Sequence, residues 1–239
     1  MRVYFLSFAR LWPRLLLVGL VLSVLILGYG ITRNKNELPT TKPYEAIYQG
    51  SSEAKKVALI CNVVWGEEFL PEMLEILRKQ DVKMTFFIGG QWAEQFPELT
   101  ELIYKTGHEI GNHGYAHRKP SVLSKEQNLT EIKKAEAIIN DITKQKTTLF
   151  HPPYRDINDI ALDVANQNGY KVIMSSVDTI DWQRPAPEVI TKRVIDKIHN
   201  GAIVLMHPTA PTVKALPVII KELKNRGYDI VTVSELIKQ

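Results

Sequence analysis

The sequence predicts a distorted, incomplete (β/α) barrel of about seven parallel strands, preceded by an N-terminal transmembrane helix. Three observations lead there. From Lys55 onward, short apolar runs alternate with segments of helical period, the pattern that parallel strands joined by crossover helices require. The alternation repeats about seven times, short of the eight units of a complete barrel; an open doubly wound sheet is the alternative architecture. Finally, residues 15–31 form an uncharged, largely apolar run near the short end of what spans a bilayer as a helix.

Arg2, Arg10 and Arg14 precede that run. Because positive charge accumulates on the cytoplasmic side, residues 1–14 are expected inside, 15–31 as a single-pass anchor in the cell membrane, and the remainder outside the cytoplasm. A cleaved signal peptide is the rival reading, with a weak small-x-small site in Gly28-Tyr29-Gly30. Residues 32–54 are polar, hold Pro39 and Pro43, and read as an extracytoplasmic linker; residues 55–239 read as the domain.

Within the domain, strand 57–64 is apolar except for Asn62, and 67–80 carries Phe69, Leu70, Met73, Leu74 and Leu77 as a helical stripe. A second strand, 84–88, closes at Gly89-Gly90. A helix over 92–106 is interrupted near Pro97, and 108–111 is the third strand. Ser124 caps a long helix running to about Lys144. Strand 148–151 stops at Pro152-Pro153, and helix 158–168 ends at Gly169. Strand 171–176, helix 187–199 ended by Asn200-Gly201, strand 202–206, helix 213–226 stopped by Gly227, strand 229–233 and a helix opened by Ser234 complete the chain.

The balance of 30 Lys and Arg against 26 Asp and Glu is modest, and no basic block stands out in the domain, so no nucleic-acid partner is expected. No GxGxxG or phosphate-loop pattern follows the first strand, which argues against nucleotide binding. The single cysteine, Cys61, rules out an intrachain disulfide and reads as a buried thiol.

Parallel α/β proteins gather functional groups beyond the C-terminal ends of their strands. Here five strand ends carry them: Asn62 to Gly66; His113 and His117; His151-Pro152-Pro153-Tyr154; Asp178 to Trp182; and Met206-His207-Pro208. His113 and His117, four residues apart, are candidate ligands for a divalent metal, zinc or similar. His207 is a candidate general acid, with Asp178 as the partner that holds its ring. Tyr154, after a rigid diproline, offers a backbone N–H as an oxyanion donor. Trp182 and Leu205 wall a shallow groove for a sugar ring, although plain core packing accounts for them equally well.

These blocks together resemble the polysaccharide deacetylases with a NodB homology domain. The resemblance rests on Ala58-Leu59 through Trp65-Gly66, Gly107-His108-Glu109-Ile110-Gly111-Asn112-His113 with His117, Pro152-Pro153-Tyr154, Val177 through Trp182, and Ile203 through His207. The N-terminal anchor and the Trp65-Gly66 ending look like the subgroup of spore-forming bacteria. The resemblance implies metal-dependent hydrolysis of N-acetyl groups on N-acetylglucosamine in a wall glycan, peptidoglycan or a chitin-like polymer. It also implies an Asp-His-His metal site, with a neighbouring Asp as base, and Trp65 beside the substrate groove.

Three positions depart from that pattern. Asn62 stands where the base is expected, Val64 where the metal-binding Asp is expected, and His151 where an Arg would orient the base. An amide forfeits a general-base contribution of about 10²- to 10⁴-fold, and valine leaves the metal site short of three protein ligands. The changes at Asn62 and His151 read as linked, since losing only the acid would strand a buried guanidinium. Two readings stay open: a catalytically weakened enzyme, in which His151 serves as base and Glu67 or Glu68 as ligand, and a glycan-binding pseudoenzyme.

Overall fold

Alternation along the strands decides which side chains face the inside of the sheet. A computed structural model of the chain describes residues 44–238 together with Met1, Leu20, Leu22 and Ser23. Eight short strands form one sheet, paired in parallel throughout: β1 (Lys56–Val63), β2 (Thr85–Ile88), β3 (Glu109–Asn112), β4 (Leu149–Phe150), β5 (Lys171–Val172), β6 (Val177–Asp178), β7 (Ile203–Met206) and β8 (Asp229–Val231). Seven lie in the order β5-β4-β3-β2-β1-β7-β6, and β8 pairs with the start of β1.

That order forces curvature. β5 and β6 are the two borders of the path, about 29 Å apart in a flat sheet of six gaps. Yet the chain from Val172 to Val177 spans at most about 18 Å when fully extended. The sheet must therefore curl until its borders approach, which makes it an incomplete barrel rather than an open sheet. The seam is bridged by residues 47–50, read from composition as part of the linker: Ile47 bridges to Ile173 and Gln49 to Ala202.

The helices are α1 (Leu70–Lys79), α2 (Gly90–Gln95), α3 (Pro97–Lys105), α4 (Lys125–Thr143), α5 (Asp159–Gln167), α6 (Pro187–Lys197), α7 (Ala210–Asn225) and α8 (Val233–Leu236). The break at Pro97 separates α2 from α3 because Phe96, the residue before a proline, leaves helical geometry with φ −128° and ψ 60°. Ser124 caps α4 through a full capping box with Gln127.

Along β1, Val57, Leu59, Cys61 and Val63 join the large cluster packed under the helices, while Ala58 and Ile60 join the interior cluster with Phe87, Leu149, Ile203 and Leu205. Asn62 is the next inward position after Ile60, His151 after Leu149, and His207 after Leu205. The barrel interior is thus apolar through its middle and turns polar at the C-terminal rim.

The proposed membrane run lies outside the described residues apart from Leu20, Leu22 and Ser23, as does most of the linker before Tyr44. Among the described residues, no helix is long and apolar enough to cross a membrane.

Candidate functional site

The rim encloses a cavity of about 730 Å³, within the usual range for small-molecule sites. Its walls include Asn62, Val64 and Trp65 from the end of β1, His117, Tyr154 and Arg155, Asp178 and Trp182, Leu205 and His207. His113 and His151 sit immediately behind it. The His113 ring centroid is 5.0 Å from that of His117 and 5.4 Å from that of His151. Asn62, Trp65, His113, His117, His151, Tyr154, Asp178, Trp182, Leu205 and His207, all named from the sequence, are therefore at this one rim, whereas Glu67 and Glu68 are not.

Local packing explains how they arrive there. Phe87 forms the floor against His151, at 5.3 Å between centroids. Its ring needs Gly111 beneath it, since a Cβ there would lie 2.4 Å from two Phe87 ring atoms. The loop from His113 to His117 is held by Glu131, whose carboxylate accepts the N–H groups of Tyr115 and Ala116 at 3.0 and 2.7 Å. Four residues around the cavity, His117, Tyr154, Arg155 and Ile180, occupy left-handed backbone conformations without being glycine. Such strain persists only where surrounding structure over-determines it, and it clusters at functional sites.

The centre of the cluster is neutral and under-bonded. His113 Nδ1 bonds the backbone carbonyl of His151. Burial, then the neighbouring His151, holds His113 well below the ordinary imidazole range. Burial and the charges of His207 and Arg155 bring His151 down to about 3. Asn62 Nδ2 faces His151 Nδ1 at 3.4 Å. Asn62 Oδ1, His113 Nε2 and His151 Nε2 are buried without a hydrogen-bond partner in the protein.

One expectation is corrected. His207 is paired with Asp181, not Asp178: its Nδ1 lies 2.8 Å from Asp181 Oδ1, and its backbone N–H donates to Oδ2 at 2.7 Å. Thr212 donates to the same carboxylate at 2.6 Å. With Nδ1 committed to a carboxylate, Nε2 is the nitrogen left for chemistry. The left-handed turn at Ile180 (φ 53°) is what separates the roles. Asp178 accepts the Ile180 N–H at 2.8 Å and faces Arg155 at 3.4 Å in the cavity wall, while Asp181 turns into the core, fully buried. No sequence signal distinguished the two acids, nor marked Arg155, Glu131 or Tyr48.

The walls are aromatic. Trp65 stacks on His207, 5.7 Å between centroids with 9° between planes, and Tyr154 packs on His117 at 4.4 Å. Of the five exposed aromatic side chains among the described residues (Tyr44, Tyr48, Trp65, Tyr154 and Trp182), all but Tyr44 line this cavity. Such concentration of exposed aromatic rings marks a binding surface rather than incomplete packing.

The donors do not make a three-ligand metal site. His113 Nε2 is free for a cation, but Val64 in the adjoining wall offers no lone pair, and among the described residues no three His, Cys, Asp or Glu gather to hold an ion. Glu67 and Glu68, considered as stand-in ligands, lie in the turn after Gly66 and are not part of the cavity wall.

Comparison with known proteins places this architecture. The family model for polysaccharide deacetylase matches residues 49–173. The chain is 40% identical over 213 residues to the uncharacterized protein YlxY of Bacillus subtilis, covering 89% of this chain and 66% of that protein. It is 32% identical to a peptidoglycan-N-acetylglucosamine deacetylase of Bacillus cereus, covering 82% of this chain and 73% of that protein. The crystal structure of BA3943, a CE4 family pseudoenzyme from Bacillus anthracis, is similar at a TM-score of 0.80 and 42% identity, over 82% of this chain and 69% of that one. A BA3943 mutant with restored enzymatic activity is similar at the same TM-score, 40% identity, over 82% and 72% of the two chains. The chain therefore belongs to the polysaccharide deacetylase family.

Proposed function

We propose that this is a glycan-binding member of the family whose hydrolytic site is degenerate. It would be directed at N-acetylglucosamine-containing cell-wall polymer and held outside the cytoplasm by the apolar run 15–31. The observation that carries the reading is the trio at the rim. Asn62 occupies the inward position after Ile60 and faces an imidazole brought down to about 3, and Val64 lines the wall where a ligand carboxylate would stand. An amide cannot take a proton from water near neutral pH, and so weakly basic an imidazole is a poor substitute.

What remains suits binding. Trp65, Tyr154 and Trp182 present ring faces to apolar sugar faces. The Arg155–Asp178 pair and His207 Nε2 offer polar contacts to hydroxyl and acetamido groups. The Tyr154 N–H, after the diproline, is directed by its left-handed turn and would meet an amide oxygen. The kinship with the pseudoenzyme BA3943, and the restored activity of its mutant, support a fold that keeps the groove while the reaction is lost. A divalent ion, where the family holds one, would polarise the acetamido group; His113 and His117 alone would hold it short of the usual three protein ligands.

The test is metal analysis of the purified full chain together with acetate release from an N-acetylglucosamine oligomer and calorimetric binding of the same oligomer. Binding without a stoichiometric ion and without acetate is the expected result. A tightly held ion with metal-dependent acetate release would overturn the reading.

A further inference from the structure

Tyr48 reaches the cavity from a segment that carries none of the motifs quoted above, and the residue itself lies just before the stretch matched by the family model. The segment is a strap across the seam of the barrel. Ile47 N–H donates to the Val172 carbonyl at 2.8 Å, Met174 N–H to the Ile47 carbonyl at 2.7 Å, and Gly50 N–H to the Gly201 carbonyl at 2.8 Å. It leaves no room for adjustment: a Cβ on Gly50 would lie 2.6 Å from Leu236 Cγ, and one on Gly201 2.5 Å from the Gly50 oxygen. Ile47 packs into the interior cluster, and the next side chain, Tyr48, stands in the cavity wall with Met174 and Leu205.

The backbone that carries the ring is fixed, and the ring itself is unused. Tyr48 is 49% exposed, and among the described residues it stacks on no other ring and its hydroxyl bonds no other group. By contrast, Trp65 is stacked on His207 and Tyr154 packs at a tilt on His117. The backbone on either side of the ring is fixed before binding, so only the side-chain rotamer of Tyr48 remains to be ordered by a ligand. The volume agrees: a cavity of about 730 Å³ is of the size that takes drug-sized ligands, larger than one sugar unit.

We propose that Tyr48 forms a second sugar position of the groove. It stacks on the N-acetylhexosamine unit next to the one beside Trp65 and His207, so that the domain recognises an oligomer rather than a single residue. This rests on the glycan-binding reading above and extends it to a strap outside the motifs.

The experiment is calorimetric titration of the full chain with N-acetylglucosamine oligomers of increasing length, from the monosaccharide upward. Wild type is expected to gain affinity on the step beyond the first unit. Tyr48→Ala is expected to lose that gain, binding the longer oligomers about tenfold more weakly with the monosaccharide unchanged. Tyr48→Phe, which keeps the ring, should bind as wild type. Because the side chain is half exposed, both variants should melt with wild type. If Tyr48→Ala binds every length like wild type, or weakens all lengths equally, the second position is overturned and the groove itself stands. If wild type binds no oligomer at all, the underlying glycan reading falls with it.

Discussion

The two ends of the barrel treat buried polar groups in opposite ways. At the base, His108 Nδ1 accepts the Met84 N–H at 3.2 Å, Glu109 accepts from the Thr85 hydroxyl at 2.7 Å and the Ser234 N–H at 3.2 Å, and Thr85 Oγ1 accepts the Val233 N–H at 2.9 Å. At the rim, Asn62, His113 and His151 each keep a buried polar atom without a partner. Native proteins satisfy nearly all such atoms, so a cluster of exceptions needs a reason. The base uses its polar groups to hold the sheet together; the rim leaves its own facing the cavity, open to a ligand.

The largest effect expected from this contrast is a gain. Asn62→Asp with Val64→Asp and His151→Arg restores a base, a carboxylate ligand and the cation that orients the base. Deacetylation of an N-acetylglucosamine oligomer with added divalent ion should rise by about 10²- to 10⁴-fold over wild type, measured as acetate released. If no combination of these changes gains activity, the rim has lost more than its charges.

Next comes the one rim group that behaves like the base. Asp181 is fully buried and accepts from His207 twice and from Thr212. Asp181→Ala strands those donors and should cost about 3–4 kcal/mol in urea unfolding. A loss under about 1 kcal/mol would mean the carboxylate is retained for substrate rather than for the fold.

The base makes its own prediction through His108. Burial, then the charge of Lys83, brings this imidazole down to about 4. The unfolded chain takes up the proton near 6.5, so between those values the unfolded state binds more protons, and stability falls as pH is lowered through the window. The contribution is up to about 3 kcal/mol, present in full above pH 6.5. Subtracting the pH profile of a His108→Leu variant from that of wild type isolates it, and a flat difference between pH 7 and 5 would contradict it.

The smallest effect belongs to Asp178, whose partner Arg155 is partly exposed. Asp178→Ala should change unfolding free energy by less than about 1 kcal/mol. The contrast with Asp181 is the sharpest check on which acid carries the histidine.

Much of this was legible in the sequence because apolar periodicity is a local signal. The strands, the long helix capped at Ser124 and the break before Pro97 follow from it, as do the polar residues at strand ends. Three features were not local. The run 171–176 reads as one strand, yet the chain leaves one border of the sheet at Val172 and joins the other at Val177, and hydropathy does not say to which border a residue bonds. Residues 47–50 look like linker because most of what ties them down is backbone bonding to distant strands, which hydropathy does not show. Asp178 and Asp181 are equivalent by spacing, and only the left-handed turn at Ile180 sends one inward and leaves the other at the wall.

The strap across the seam also sets a timetable. Ile47 leaves the ribosome among the first residues of the domain, but its partners Val172 and Met174 are made more than a hundred residues later, and Gly201, which holds Gly50, later still. With synthesis at about 5–20 residues per second, the nascent segment waits for seconds beside a half-made sheet whose borders have nothing to join. Closure is therefore a late event dominated by distant pairings, the slow class of folding reactions. Until it happens the growing chain carries a raw sheet border, and protecting that border falls to whatever meets the chain as it emerges.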